Sequence, residues 1–194
     1  ELELDKFLNE KRKDAEFNPK VLEMLEIISE YTLRGGKRLR PVLMIVGYKL
    51  YGGREENEII KASCSIELIQ SYLLIHDDII DESDLRRKRP TVHRIYEEKY
   101  GDKKFGENLA IIAGDLANVY AEEVFERVNI DERLKFKALI KLASIVESTG
   151  YGQLLDVFSS MLDDFSEKDL LLLHEYKTAK YTIEGPLILG AILA

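Results

Sequence analysis

In the run from Gln70 to His93, QSYLLIHDDIIDESDLRRKRPTVH, three carboxylates, Asp77, Asp78 and Asp81, stand among bulky apolar residues just before four consecutive cations, Arg86 to Arg89. Leu73, Leu74, Ile75, Ile79 and Ile80 surround the aspartates on several sides, the pattern of a helix buried nearly all round. A buried carboxylate needs a partner, because taking an isolated charge out of water is expensive. On a helix, Asp77 and Asp81 project from one face, one turn apart. Their like charges destabilise an isolated helix by roughly 0.2–0.5 kcal/mol, so something cationic is expected to offset them in use. Oxygen-only ligands select a hard divalent ion. Mg²⁺, which keeps several waters and takes one or two carboxylates plus substrate phosphates, suits Asp77 and Asp81, with Arg86 and Arg87 on the same phosphates.

The rest of the chain reads as helices, with no strand-like alternation, internal repeat or linker, so the class is all-α. A short charged helix spans about Leu2 to Asp14. Asn18 followed by Pro19 supplies an N-cap and a proline at the first helical position, and a second helix runs from there to the stop at Gly35-Gly36. The two glycines let the backbone approach a ligand closely and lead into Lys37-Arg38-Leu39-Arg40-Pro41. There proline opens a third helix, whose N-terminal N–H groups favour an anion. After Gly52-Gly53 one helix is expected from about Glu55 to Glu82, a rod of ~38 Å. Residues 83 to 93 then form a basic loop, with His93 structural. Further helices are expected from about Lys104 to Val128, with Gly114 marking a close approach, and from about Asp131 to Met161. Ser166 and Asp169 resemble a capping box for a helix that presents Lys177 and Lys180, and Pro186 opens a last apolar helix. Helices of this length imply a large antiparallel bundle around a deep apolar pocket.

At 194 residues the chain is one domain's worth, residues 1–194. A net charge of −8 argues against a partner such as nucleic acid or an anionic membrane, since the dense basic cluster adjoins aspartates instead of forming a broad stripe. The single cysteine, Cys64, excludes an internal disulfide and fits a reducing compartment. With no apolar run near the ~20 residues that span a bilayer and no leader pattern, the expectation is a soluble, cytoplasmic protein without stable membrane insertion.

The stretch HDDIIDESDLRRKRPTVH resembles the first aspartate-rich motif of the trans-isoprenyl diphosphate synthases (polyprenyl synthetases): Asp-Asp-x-x-Asp, a paired Arg, then Pro-Thr-x-His. Gly35 to Pro41, Phe105-Gly106-Glu107, Ala113-Gly114-Asp115, Gly152-Gln153-x-x-Asp156 and Lys177-Thr178-Ala179 follow the family's order. One departure is local: Lys88 stands where a glycine usually follows the paired Arg. The resemblance implies an isoprenoid-synthase bundle and head-to-tail prenyl transfer from an allylic diphosphate to isopentenyl diphosphate. It implies Mg²⁺ on Asp77 and Asp81, with Asp78 turned away behind them. Arg86, Lys177 and Thr178 then contact the allylic diphosphate, while Lys37, Arg40, Gln70 and Arg87 hold isopentenyl diphosphate. Gln153 and the Lys177 carbonyl stabilise the carbocation by their dipoles. Tyr72, five positions before the first aspartate, becomes the floor that limits product length, giving a medium product such as geranylgeranyl diphosphate. Relatives are typically homodimers and carry a second aspartate-rich motif beyond the point that matches Ala194, so the resemblance implies a C-terminally incomplete domain. The rivals are a non-catalytic synthase subunit, expected to lose the first aspartates, a terpene cyclase of similar fold, which has no second diphosphate to hold, and a helical interaction protein with an acidic surface.

Overall fold

Helix-start signals that need only a few neighbouring residues set most of the architecture. The structure, a computed structural model, describes residues 1–162 and 165–194. Its helices are α1 (Leu2–Asp14), α2 (Pro19–Leu33), α3 (Leu39–Leu50), α4 (Glu56–Ala62), α5 (Cys64–Ile80), α6 (Val92–Tyr100), α7 (Lys103–Glu123), α8 (Glu132–Ser159), α9 (Glu167–His174) and α10 (Gly185–Leu193). Asn18 caps α2 by accepting the Lys20 N–H at 2.9 Å, with Pro19 in the first turn. Ser166 and Asp169 close a reciprocal capping box on α9. The all-α class holds, and the sheet among the described residues is one ribbon of two-residue strands, β1 (Leu85–Arg86) and β2 (Arg89–Pro90).

Two expectations are corrected. The rod expected from Glu55 to Glu82 is two helices, α4 and α5, that part at Ser63. Three side chains in a row bond back to carbonyls of the preceding turn: Ser63 Oγ to Ile60 O at 2.7 Å, Cys64 Sγ to Ile60 O at 3.6 Å and Ser65 Oγ to Ala62 O at 2.7 Å. Such local bonds compete with the helical ladder. The basic loop, in turn, is a hairpin followed by α6. Leu85 pairs with Pro90 and Arg86 with Arg89, while Arg87 and Lys88 take φ of 54° and 65° at the tip. Two consecutive left-handed residues make the tight turn whose twist matches a two-stranded ribbon.

The chain groups into two compact units. The first comprises residues 1–37 and 67–127. Its core joins Met24, Leu25, Ile28 and Tyr31 of α2, Ile75 of α5, Val92 and Tyr96 of α6, and Ala110, Ala113 and Ala117 of α7. The alanines of α7, spaced three and four apart, form a face without bulk that lets neighbouring helices pack close.

The second unit comprises residues 38–66 and 128–194. Its tightest contact is α3 against α10, where a Cβ at Gly47 would lie 2.2 Å from the Leu187 carbonyl oxygen and one at Gly190 would lie 1.9 Å from that of Met44. Neither obstacle is a flexible side chain, so both helices depend on glycine there. A ten-residue π-helix, Glu175–Glu184, joins α9 to α10. Its wide register fits its exit, because in an α register the Pro186 ring would clash with the Thr182 carbonyl, and the Gly185 N–H bonds the Lys180 carbonyl five residues back.

Gly190→Ala must separate α3 from α10 and is expected to destabilise the second unit by about 3 kcal/mol, at the upper end of overpacking costs. Urea denaturation checks this through a lowered midpoint at unchanged slope.

Candidate functional site

The end of α5 carries the acidic residues. Asp81 lies just past the helix, but its N–H still bonds the Asp77 carbonyl at 2.8 Å, so the two carboxylates keep the one-turn spacing of a helix face. The turn then closes through Ser83 N–H to Asp78 O at 2.9 Å, with Glu82 left-handed at φ 49°. Asp77 is half-buried and Asp81 exposed, whereas Asp78 has no exposed surface.

Asp78 is satisfied from two sides. The buried Tyr31 hydroxyl donates to its Oδ2 at 2.6 Å, and Arg86 donates through Nε to its Oδ1 at 2.8 Å and again through Nη2. Arg86 Nη2 also lies 3.4 Å from Asp77 Oδ2. Burial, and then the charge and hydrogen bond of Asp78, push the Tyr31 hydroxyl far above its ordinary range. Burial alone would push the Arg86 guanidinium down, but the hydrogen bond and charge of Asp78 outweigh it and hold Arg86 above its ordinary value.

Behind this pair, the Arg34 side chain is almost fully buried. Its guanidinium stacks on the Tyr31 ring at 4.7 Å, pairs with Glu30 at 2.7 Å and reaches the Arg86 carbonyl at 3.4 Å. Arg89 binds the same Glu30. Arg87 and Lys37 are exposed, and the Arg87 guanidinium lies against Gly36, where a Cβ would come within 2.8 Å of Nη2. The Gly35-Gly36 turn thus makes room for an arginine of the hairpin. Gln70 is half-buried. Tyr72, like Leu74 and Ile79, packs on the core of the first unit, its ring edge-to-face with His76 at 4.8 Å. His76 accounts for Gly114, since a Cβ there would lie 2.3 Å from the imidazole Nε2.

The second unit holds the remaining sequence-expected residues. Arg40 donates from Nη2 to Thr182 Oγ1 at 2.8 Å and stacks on the buried Tyr181 ring at 4.1 Å. Lys177, half-buried in the π-helix, pairs with Asp156 of α8, and Thr178 next to it is exposed. Gly152 lets α8 press on this segment: a Cβ there would lie 2.4 Å from Lys177 N. Gln153 Nε2 is buried with no hydrogen-bond partner in the structure, a donor left without an acceptor.

Among the described residues no group of three or more His, Cys, Asp or Glu side chains could hold a metal ion, and no helix is long and apolar enough to cross a membrane. Sequence reasoning assigned no role to Tyr31, Arg34, Tyr181 or Thr182. The available signal for the first two was a tyrosine and an arginine three apart, on one helix face, directly before Gly35-Gly36.

Comparison with known proteins gives a consistent result. The family model described as polyprenyl synthetase matches residues 22–194. The chloroplastic geranylgeranyl pyrophosphate synthase of Catharanthus roseus is 33% identical over an alignment of 192 residues that covers 96% of this chain and 51% of that protein. Geranylgeranyl pyrophosphate synthase 11 of Arabidopsis thaliana, also chloroplastic, is 36% identical, covering 89% of this chain and 48% of the relative. Among solved structures, geranylgeranyl pyrophosphate synthase from Corynebacterium glutamicum, complexed with isoprenyl diphosphate and magnesium, matches with a TM-score of 0.90 and 30% identity over 98% of this chain and 57% of that one. The synthetase from Pyrococcus horikoshii matches with a TM-score of 0.79 and 29% identity, over 97% of this chain and 54% of its own. The chain spans about half the length of the curated relatives it matches.

The Glu30 cluster yields a pH prediction. Burial raises the Glu30 carboxyl, but the hydrogen bonds and charges of Arg34 and Arg89 outweigh it and leave the group below its ordinary value of 4.5. Folded Glu30 therefore binds its proton less readily than unfolded Glu30. Its stabilisation is complete above that ordinary value and is lost as pH falls through the lower folded-state value. Glu30→Gln is expected to flatten that part of the stability profile, measured by urea denaturation between about pH 3 and pH 7.

Proposed function

Because this chain belongs to the polyprenyl synthetase family, we propose that it is the substrate-binding part of a prenyltransferase that condenses an allylic diphosphate with isopentenyl diphosphate to make geranylgeranyl diphosphate. The observation that carries this reading is the end of α5. There Asp77 and Asp81 keep helical spacing beside an arginine whose charge is retained against burial by the fully buried Asp78. The donor set suits Mg²⁺: two oxygen-only side chains, one half-buried and one exposed, are too few to hold the ion alone and leave positions for phosphate oxygens and water. When bound, Mg²⁺ supplies Lewis-acid stabilisation of the charge that develops on the departing diphosphate.

The chain's own residues account for the remaining steps. Arg86, Lys177 and Thr178 bind the allylic diphosphate and stabilise it as the allylic C–O bond breaks and the electron pair leaves with it. Lys37, Arg40, Gln70 and Arg87 orient isopentenyl diphosphate so that its double bond forms the new carbon–carbon bond at the allylic cation. Loss of a proton then restores a double bond. Gln153, with its buried amide nitrogen, and the Lys177 carbonyl face the cation with their dipoles, and Tyr72 limits how far the product grows. Mg²⁺ dependence, homodimeric assembly and a cytoplasmic location belong to the same proposal. The buried Cys64 supports a reducing compartment.

Asp81→Ala in the full-length protein is expected to lower kcat/KM for prenyl transfer by at least ~100-fold with little change in stability, since Asp81 is exposed. Steady-state kinetics at several Mg²⁺ concentrations test it, and an unchanged rate removes Asp81 from the site. The product-length role of Tyr72 is checked separately by chromatography of the products. Tyr72→Ala should shift them longer by one or more isoprene units, and an unchanged distribution in a folded variant moves the floor elsewhere.

A further inference from the structure

Tyr31 lies outside every motif read from the sequence, yet it is the group that completes the environment of Asp78. Its hydroxyl occupies Asp78 Oδ2 at 2.6 Å, while Oδ1 takes the Nε and Nη2 edge of Arg86. One carboxylate is thereby held at both oxygens, and its plane fixes that of the guanidinium. Tyr31 is held in turn, since its ring packs in the core of the first unit and Arg34 covers it at 4.7 Å. Arg34 also reaches the Arg86 carbonyl, so side chain and backbone of Arg86 are fixed from α2 and from the residue that caps its C-terminus. The Nη1 side of the guanidinium is left turned from Asp78.

We propose that Tyr31 is a positioning residue: through Asp78 it orients Arg86 so that the free edge of the guanidinium meets an oxygen of the allylic diphosphate. This rests on the reading of Arg86 given above. A tyrosine serving only to join α2 to α5 would affect stability and leave the two substrates equally bound. A positioning tyrosine acts on one substrate. Removing its hydroxyl frees Asp78 Oδ2, lets the carboxylate rotate about its Cβ–Cγ bond and turns Arg86 with it, while the groups assigned to isopentenyl diphosphate are untouched.

The test uses Tyr31→Phe in the full-length protein, a change of one oxygen that keeps the ring under Arg34. Calorimetric binding of a non-hydrolysable allylic thiolodiphosphate is expected to weaken about tenfold, the size of one lost hydrogen bond at a charged site. The KM for the allylic substrate should rise with it, and that for isopentenyl diphosphate should stay within about twofold. In an Arg86→Lys background, which lacks the fork that Asp78 holds, Tyr31→Phe should cost nothing further. Asp78→Asn, of equal size, is the second variant and should show the same selective loss. Wild-type allylic affinity in either single variant, or equal losses for both substrates, overturns the proposal, as does full additivity with Arg86→Lys. Wild-type protein that binds no allylic thiolodiphosphate would instead overturn the assignment of Arg86.

Discussion

A carboxylate with no exposed surface near the end of a helix has to be neutralised by its neighbours, and Asp78 makes that demand in the first unit. Its removal from water costs several kcal/mol unless a cation and further donors return the energy. Arg86 supplies the cation and Tyr31 the neutral donor, so α2, the end of α5 and the β1–β2 ribbon meet at one carboxylate. The ribbon exists in the form this requires. With Arg86 pinned on β1 the chain must reverse within two residues, and Arg87 and Lys88 take left-handed conformations that cost L-residues about 1–2 kcal/mol each. Glycine would relieve that strain at the position Lys88 occupies. The lysine keeps a fourth cation in the cluster at the cost of an easier turn.

What the sequence made legible was what depends on a few adjacent residues. Asn18-Pro19 and the Ser166–Asp169 box each act within one turn, and both caps form where they were expected. The one-turn spacing of Asp77 and Asp81 survives even though the helix ends between them. The break at Ser63 was not legible, because Ser-Cys-Ser is neither proline nor glycine and each residue alone is tolerated in a helix; the ladder yields only when all three bond backwards. The hairpin was hidden by Lys88, which stands where a glycine would have announced the turn. Tyr31 and Arg34 were hidden for a different reason. Their importance comes from Asp78, 47 residues away from Tyr31, and no local pattern reports a partner at that distance.

In the second unit the π-helix takes the part that Asp78 takes in the first, fixing several side chains by one constraint. Lys177 and Thr178 lie near its start, and Tyr181 and Thr182, which stack on and bond to Arg40, lie four residues on. Rewinding the segment to an α-helix would rotate these pairs against each other, because the same four-residue separation covers a larger angle in the tighter helix. Two contacts oppose that rewinding. The Pro186 ring would clash with the Thr182 carbonyl in an α register, and the Gly152 backbone leaves the Lys177 N–H side no room to move toward α8. The register is therefore set from both ends, and a change at either Gly152 or Pro186 reaches Arg40 and Lys177 together.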